Sequence, residues 1–102
     1  MIKPSLHHVT LKTSRLDEMV KWYALVVGAE VQFRDPGAAW MTNDGANHRI
    51  AFLAVPGLSD DADKTRHNGM HHCAFEYDTF ADLMSSFDRL VFGWSAFLPH
   101  PG

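Results

Sequence analysis

An internal repeat constrains the fold more than any other feature of this sequence. Residues 6–11, LHHVTL, recur as residues 70–75, MHHCAF, so that each segment carries a His-His pair at the same place. The same register continues without a gap and matches apolar with apolar and acidic with acidic side chains: Leu16 with Phe80, Glu18 with Asp82, Met19 with Leu83, Val20 with Met84 and Tyr23 with Phe87. A repeat of this kind indicates two copies of one supersecondary unit.

The first copy predicts the order β-α-β-β-β. Apolar and polar side chains alternate over residues 7–12, with Val9 on one face and His8 on the other. This pattern is typical of a half-buried strand. Ser14 is the predicted N-cap of a helix with apolar residues at helical spacing, and Gly28 is its predicted end. Three further strands and two turns are predicted from composition: strands over residues 30–33, 38–42 and 49–55, with turns at 35–37 and 43–45.

The second copy begins after a polar linker. Residues 70–77 predict its first strand, and Asp78 or Thr79 is the predicted cap of a helix that ends near Leu90. One more strand fits residues 94–98, but the last two strands do not fit before residue 102. We therefore expect one α+β domain of paired β-α-β-β-β modules, truncated at its C-terminus: a first module over residues 1–57, a linker over 58–69 and an incomplete second module over 70–102.

Composition excludes several classes of protein. The 102 residues suffice for one domain, and a net charge of −3 without a basic stripe gives no reason to expect a nucleic-acid partner. The longest apolar run is far too short for a membrane span, and residues 1–4 show no export signal. Cys73 is the single cysteine, which excludes an intramolecular disulfide. These features favour a soluble cytoplasmic protein without a membrane partner.

The number of histidines is unusual, with seven in the sequence. By strand alternation His8 and His72 point away from the face that each helix covers, and pairing of the modules would bring them into one cleft. Two neutral imidazoles and a carboxylate form a facial triad that suits Fe(II), and Mn, Zn or Ni are also possible. An isolated histidine in a strand is usually only a polar residue on a solvent-exposed face. Two histidines at matched positions of a repeat favour the interpretation as metal ligands. By the same alternation His7 and His71 face the helices and have a structural role.

His48 opens the predicted fourth strand, where it could lie at the mouth of the same cleft and transfer protons. Spacing alone favours a solvated histidine at a strand edge. Cys73 is expected to face the core and to be inert. His67 and His100 receive no role.

Taken together, these segments resemble the vicinal-oxygen-chelate superfamily, which includes glyoxalase I, bleomycin and fosfomycin resistance proteins and extradiol dioxygenases. The resemblance is strongest to the extradiol branch and its small one-domain relatives, of the biphenyl-diol dioxygenase type. Order and spacing carry it rather than any one motif, and the matching segments are residues 6–11, 19–23 (MVKWY), 48–52 (HRIAF), 56–58 (PGL) and 69–75.

The resemblance implies that His8 and His72 are the histidine ligands of Fe(II) and that His48 assists proton transfer. The third ligand of the family is a glutamate on the last strand of the second module, and nothing in residues 91–102 matches its motif. A homodimer could supply a carboxylate in trans, and the candidates are Glu30, Asp44 and Glu76.

Three functions remain open at this point. The first is metal-dependent extradiol ring cleavage of a catechol-type diol with O2. The second is a non-catalytic small-molecule-binding protein of the resistance type. The third is an inactive, truncated relative with a two-histidine site that binds metal weakly.

Overall fold

A computed structural model describes residues 1–97. Its strands form one four-stranded sheet, and two α-helices accompany it. The strands are β1 (Val9–Thr13), β2 (Glu30–Asp35), β3 (Ala38–Thr42) and β4 (Ile50–Ala54). The helices are α1 (Leu16–Trp22), which continues as a π-helix over Tyr23–Val27, and α2 (Phe80–Phe97), with a short 3-10 helix at Lys64–Arg66. The α+β class and the β-α-β-β-β order of the first module are confirmed.

The order of strands in the sheet is β1-β4-β3-β2. β2 and β3 form an antiparallel hairpin, and Asp35 accepts a hydrogen bond from the N–H of Gly37 in its two-residue turn. β3 and β4 are also antiparallel, whereas β1 pairs with β4 in parallel, with Val9 opposite Ile50. The first and last strands of the module are therefore neighbours, joined through α1 and the two hairpins.

One face of the sheet carries the hydrophobic core. Phe52 and Met41 are its largest fully buried side chains, and Tyr23 from the π-helix packs on Phe52 with ring centroids 5.1 Å apart. Val9 and Leu11 pack against the same cluster, as the alternation along β1 predicts.

The two ends of the first helical segment differ in how well they were predicted. Ser14 is not the N-cap: Arg15 holds that position without a capping side-chain bond, and its N–H donates to Thr13 Oγ1 at 2.9 Å. Gly28 does end the segment, in the left-handed conformation with φ 70°. The N–H groups of Gly28 and Ala29 both donate to the carbonyl of Tyr23, the latter at 3.1 Å, and these bonds close the end of the segment.

The predicted strand over residues 70–77 is wrong. These residues are exposed, and no strand within residues 1–97 pairs with them. A strand requires a partner for its backbone N–H and C=O groups, and an alternating side-chain pattern cannot supply one. Cys73 is accordingly exposed rather than core-facing.

α2 begins where predicted and ends later. Thr79 Oγ1 accepts the N–H of Asp82 at 3.0 Å, so Thr79 caps the helix. The helix continues past Leu90 to Phe97, which overturns the strand predicted over residues 94–98 as far as Phe97; Leu98 lies outside the described residues. Several large apolar side chains of α2 are exposed: Phe80, Leu83, Met84, Phe87, Val91 and Phe92. No helix in residues 1–97 is both long and apolar enough to cross a membrane.

Candidate metal centre

The parallel pairing of β1 with β4 brings the segments that precede both strands side by side. The N–H of Val9 donates to the carbonyl of Arg49 at 3.0 Å, and the N–H of Arg49 donates to the carbonyl of Met41 in β3 at 2.8 Å. His8 stands immediately before Val9, and His48 immediately before Arg49. The two histidines are distant in sequence and adjacent in the fold.

Three imidazoles meet at this end of the sheet. His7, His8 and His48, here called the three-histidine cluster, each offer a ring nitrogen, and these nitrogens lie within 4.8 Å of one another. The ring centroids of His8 and His48 are 4.3 Å apart, and those of His7 and His48 are 5.4 Å apart. The Nδ1 atoms of His7 and His8 lie 2.8 Å apart. His7 and His8 are exposed, and His48 is half-buried.

A polar network fixes the backbone around the cluster. Asp44, in the loop between β3 and β4, accepts a hydrogen bond from Arg49 Nε at 2.9 Å. The same guanidinium donates to the main-chain carbonyl of His7 at 2.9 Å. Asp44 is itself held by the N–H of Ala46 at 2.8 Å. The loop is thereby tied to the segment that carries two of the three imidazoles.

The charge state of His48 follows from its surroundings. Partial burial lowers the pKa of His48 most, and the neighbouring His8 and His7 lower it further. A lowered pKa keeps the imidazole neutral at neutral pH, with a free lone pair on one ring nitrogen. A neutral imidazole is the form that ligates metal ions and accepts protons. Near Arg49, the pKa of Asp44 is lowered by the Ala46 N–H and then by the guanidinium, so Asp44 stays ionised.

The prediction that His7 faces the helix is wrong, since His7 is exposed and contacts His8 and His48. The regular strand begins at Val9, so the alternation of side chains does not extend back to His7. His7 was missed as a member of the cluster for this reason. The adjacent His-His pair was the one signal in the sequence that could have identified it.

His72 does not belong to the three-histidine cluster. His71 and His72 are exposed on the segment before α2, with their Nδ1 atoms 2.7 Å apart. The residues that follow, from Cys73 to Phe75, nevertheless line a cavity of about 290 Å³ together with His7 and His8. The structure thus places His8 next to His48. It places the residues that follow His72 at the cavity that His8 lines.

The carboxylates considered as ligands are dispersed. Asp44 lines the cavity but is engaged by Arg49. Glu30 is exposed at the start of β2, an edge strand. Glu76 is exposed in the unpaired segment, so it shares no strand face with His72. The nitrogen donors present suit a divalent transition metal, since neutral imidazoles ligate Fe, Zn, Ni and Cu.

The fold agrees with a comparison to known protein families. Residues 5–93 match the family model described as the Glyoxalase/Bleomycin resistance protein/Dioxygenase superfamily. The chain belongs to this superfamily, which confirms the resemblance inferred from its sequence.

Two curated proteins of Rhodococcus globerulus are similar to the chain. One, named biphenyl-2,3-diol 1,2-dioxygenase 2, is 36% identical over 87 residues, which cover 85% of this chain and 45% of that protein. The other, named biphenyl-2,3-diol 1,2-dioxygenase 3, is 33% identical over 89 residues, which cover 87% of this chain and 47% of that protein. The chain spans about half the length of these relatives.

Proposed function

We propose that this protein is a metal-dependent extradiol dioxygenase-like protein that acts on a catechol-type diol with O2. The observation that carries the proposal is the pairing of His8 and His48 beside a cavity at one end of the sheet. The names of the two similar proteins support the diol as the substrate class. The metal proposed is Fe(II), with Mn, Zn or Ni as alternatives.

The proposed ligands are His8, at the start of β1, and His72, from the segment beside the cavity. A bound Fe(II) ion would supply Lewis acidity and a template for neighbouring oxygen ligands. The remaining roles fall to the protein. Val9, Ile50 and Phe75 line the cavity and give the aromatic ring of the diol apolar contacts. They would hold the ring with its two hydroxyl groups toward the histidines.

His48 is the proposed proton-transfer residue. Its neutral imidazole, 4.3 Å from the ring of His8 between centroids, would accept the proton of a diol hydroxyl at the free ring nitrogen. Such a base contributes about 10²- to 10⁴-fold to the rate of a reaction. The third ligand is proposed to be a carboxylate supplied by the partner chain of a homodimer.

Anaerobic reconstitution of the untagged protein with Fe(II) tests this proposal. Addition of catechol or of 2,3-dihydroxybiphenyl in the presence of O2 is expected to consume O2 and to form a yellow ring-opened product. His8→Ala and His72→Ala should abolish turnover, and His48→Gln should lower kcat by about 10²-fold or more. His67→Ala, in which the exposed histidine lies outside the cluster, is the matched control. Absence of turnover with both diols contradicts the proposal.

A binding function without turnover is the second candidate. A cavity of about 660 Å³ lies beside α1, lined in part by Met19, Trp22, Tyr23 and Leu58, and it contains no histidine. An apolar cavity of this size suits a small-molecule ligand. Binding of an aromatic ligand that survives addition of a metal chelator, without O2 consumption, would favour this function over the dioxygenase.

A further inference from the structure

The three-histidine cluster has the dimensions of a metal site. Nitrogen ligands lie ~2.0–2.1 Å from a divalent ion, so two of them on one ion are about 3 Å apart. The Nδ1 atoms of His7 and His8 are 2.8 Å apart, and a nitrogen of His48 lies within 4.8 Å of both other donors. His48 would have to approach the other two rings by up to about 1.5 Å for all three nitrogens to bind one ion at these bond lengths.

The donor set defines which ions such a site prefers. It contains three imidazoles and no carboxylate or thiolate. Imidazole suits Zn²⁺, Cu²⁺ and Ni²⁺, whereas Mg²⁺ and Ca²⁺ prefer oxygen ligands. Three protein nitrogens with an open fourth position are the arrangement of a catalytic zinc site.

The first module holds this arrangement in place without help from the second. The β1–β4 pairing brings the two strand starts together, and the Arg49 guanidinium binds the His7 carbonyl at 2.9 Å. Asp44 in turn holds Arg49 at 2.9 Å. Groups that orient a ligand segment in this way strengthen metal affinity, because less conformational freedom is lost on binding.

We propose that the first module binds a divalent transition metal of the Zn²⁺ class through His7, His8 and His48, independently of His72. This ligand set shares His8 and His48 with the proposed function, so Zn²⁺ bound to it would exclude Fe(II) from His8 and occupy the proposed base His48. Its existence does not require ring cleavage, and ring cleavage does not require it. The two proposals can therefore fail separately.

Zn²⁺ titration of the untagged full chain in competition with a chromogenic chelator measures the affinity. His7→Ala and His48→Ala are expected to weaken Zn²⁺ binding by about tenfold or more, as is His8→Ala. His71→Ala is the matched control, because it removes an exposed histidine from an equivalent His-His pair, and it should keep the wild-type affinity within about twofold. His72→Ala separates the two ligand sets, because His72 is a proposed ligand of the ring-cleavage site and does not belong to the cluster.

The outcomes separate the two sites. If His72→Ala weakens Zn²⁺ binding as much as His8→Ala while His7→Ala has no effect, the inference is overturned and the ligand pair of the proposed function is supported. If none of the histidine variants changes the affinity, both ligand assignments fail. Turnover of a diol, measured on the same variants, decides the proposed function by itself.

Nuclear magnetic resonance on the wild-type chain tests the same inference without any substitution that could disturb folding. Zn²⁺ is expected to shift the ring-nitrogen resonances of His7, His8 and His48 together, and to leave those of His71 unchanged. Shifts confined to His8 and His72 would overturn the inference.

Discussion

The two copies of the repeat share a sequence pattern and differ in how they are built into the fold. In the first copy β1 lies against β4, and the helical segment that follows buries Val20 and Tyr23 on the sheet. In the second copy residues 70–77 join no sheet within the described chain, and α2 exposes much of its apolar face. α2 contacts the first copy through Arg89, whose guanidinium donates to the carbonyls of Leu25 and Val26.

The difference shows what helices and strands each require. The hydrogen bonds of α2 lie within its own segment, so the helix forms although few residues cover it. A strand satisfies its backbone only through a neighbour, so the same His-His pattern forms a strand in the first copy and an unpaired segment in the second. The predictions below set one variant against a second that tests the same property elsewhere in the chain, beginning with the largest expected effect.

Phe52→Ala should lower the free energy of unfolding by about 3–5 kcal/mol, because the substitution leaves a cavity where Phe52 is fully buried and packs on Tyr23. Phe87→Ala in α2 should change it by no more than about 0.5 kcal/mol, because that side chain is 58% exposed. Urea unfolding followed by circular dichroism measures both. Equal losses would mean that the second copy is packed as firmly as the first.

Gly28→Ala should cost about 1 kcal/mol, because Gly28 ends the first helical segment with φ 70°, where a side chain is strained. Gly45→Ala is the matched control: Gly45 has no positive φ, and an added Cβ would meet no atom within 4 Å. Thermal unfolding should show a lower Tm for Gly28→Ala and a nearly unchanged Tm for Gly45→Ala. The reverse order would contradict the left-handed end of the segment.

Arg89→Gln should loosen α2 and leave the sheet unchanged, because the guanidinium ties the helix to the carbonyls of Leu25 and Val26. An exposed hydrogen bond of this kind contributes about 1 kcal/mol. Hydrogen exchange resolved by residue should therefore be about fivefold faster in α2 and unchanged in β3 and β4. Arg66→Gln, which removes an exposed arginine from the linker, should change neither.

Asp44 and Asp61 should both give the stability of the fold a pH dependence. The Ala46 N–H and then the Arg49 guanidinium lower the pKa of Asp44, so its stabilising contribution is present above the ordinary carboxyl pKa and is lost as pH falls through the lowered one. A hydrogen bond from His67 lowers the pKa of Asp61 in the linker, where no core residue is involved.

Urea unfolding at several values between about pH 7 and about pH 3 measures this dependence. Asp44→Asn and Asp61→Asn should each flatten the loss of stability toward acid, because each removes a carboxyl whose pKa is lowered in the folded chain. An unchanged slope in Asp44→Asn would show that the Asp44–Arg49 pair does not stabilise the first module.

Much of the first module could be predicted from sequence, because the spacing of its apolar residues marks side chains that are buried in the structure. Val9 and Leu11 reach the core as alternation predicts, and β3 has the predicted bounds. Gly28 marks the end of the helical segment, because glycine adopts a left-handed conformation without strain. His8 and His48 lie together in the structure, but their contact depends on the parallel register of β1 with β4, which no local pattern contains.

What sequence could not give is the structure beyond regular elements. His7 precedes the strand, so its direction follows the turn of the chain and not the alternation. Cys73 was assigned to a core face of a strand that lacks a partner, and it is exposed. The extension of α2 to Phe97 replaces a strand that composition alone made plausible.

The parallel contact between β1 and β4 also sets the order in which the histidines can assemble. Arg49 and the carbonyl of His7 that it binds are 42 residues apart in the chain, and α1 and two hairpins lie between them. Contacts across such a separation carry a large loop-closure entropy and form after the local elements exist. An ion bound by the three imidazoles would therefore stabilise the folded state, because its three donors come together only after β1 has paired with β4.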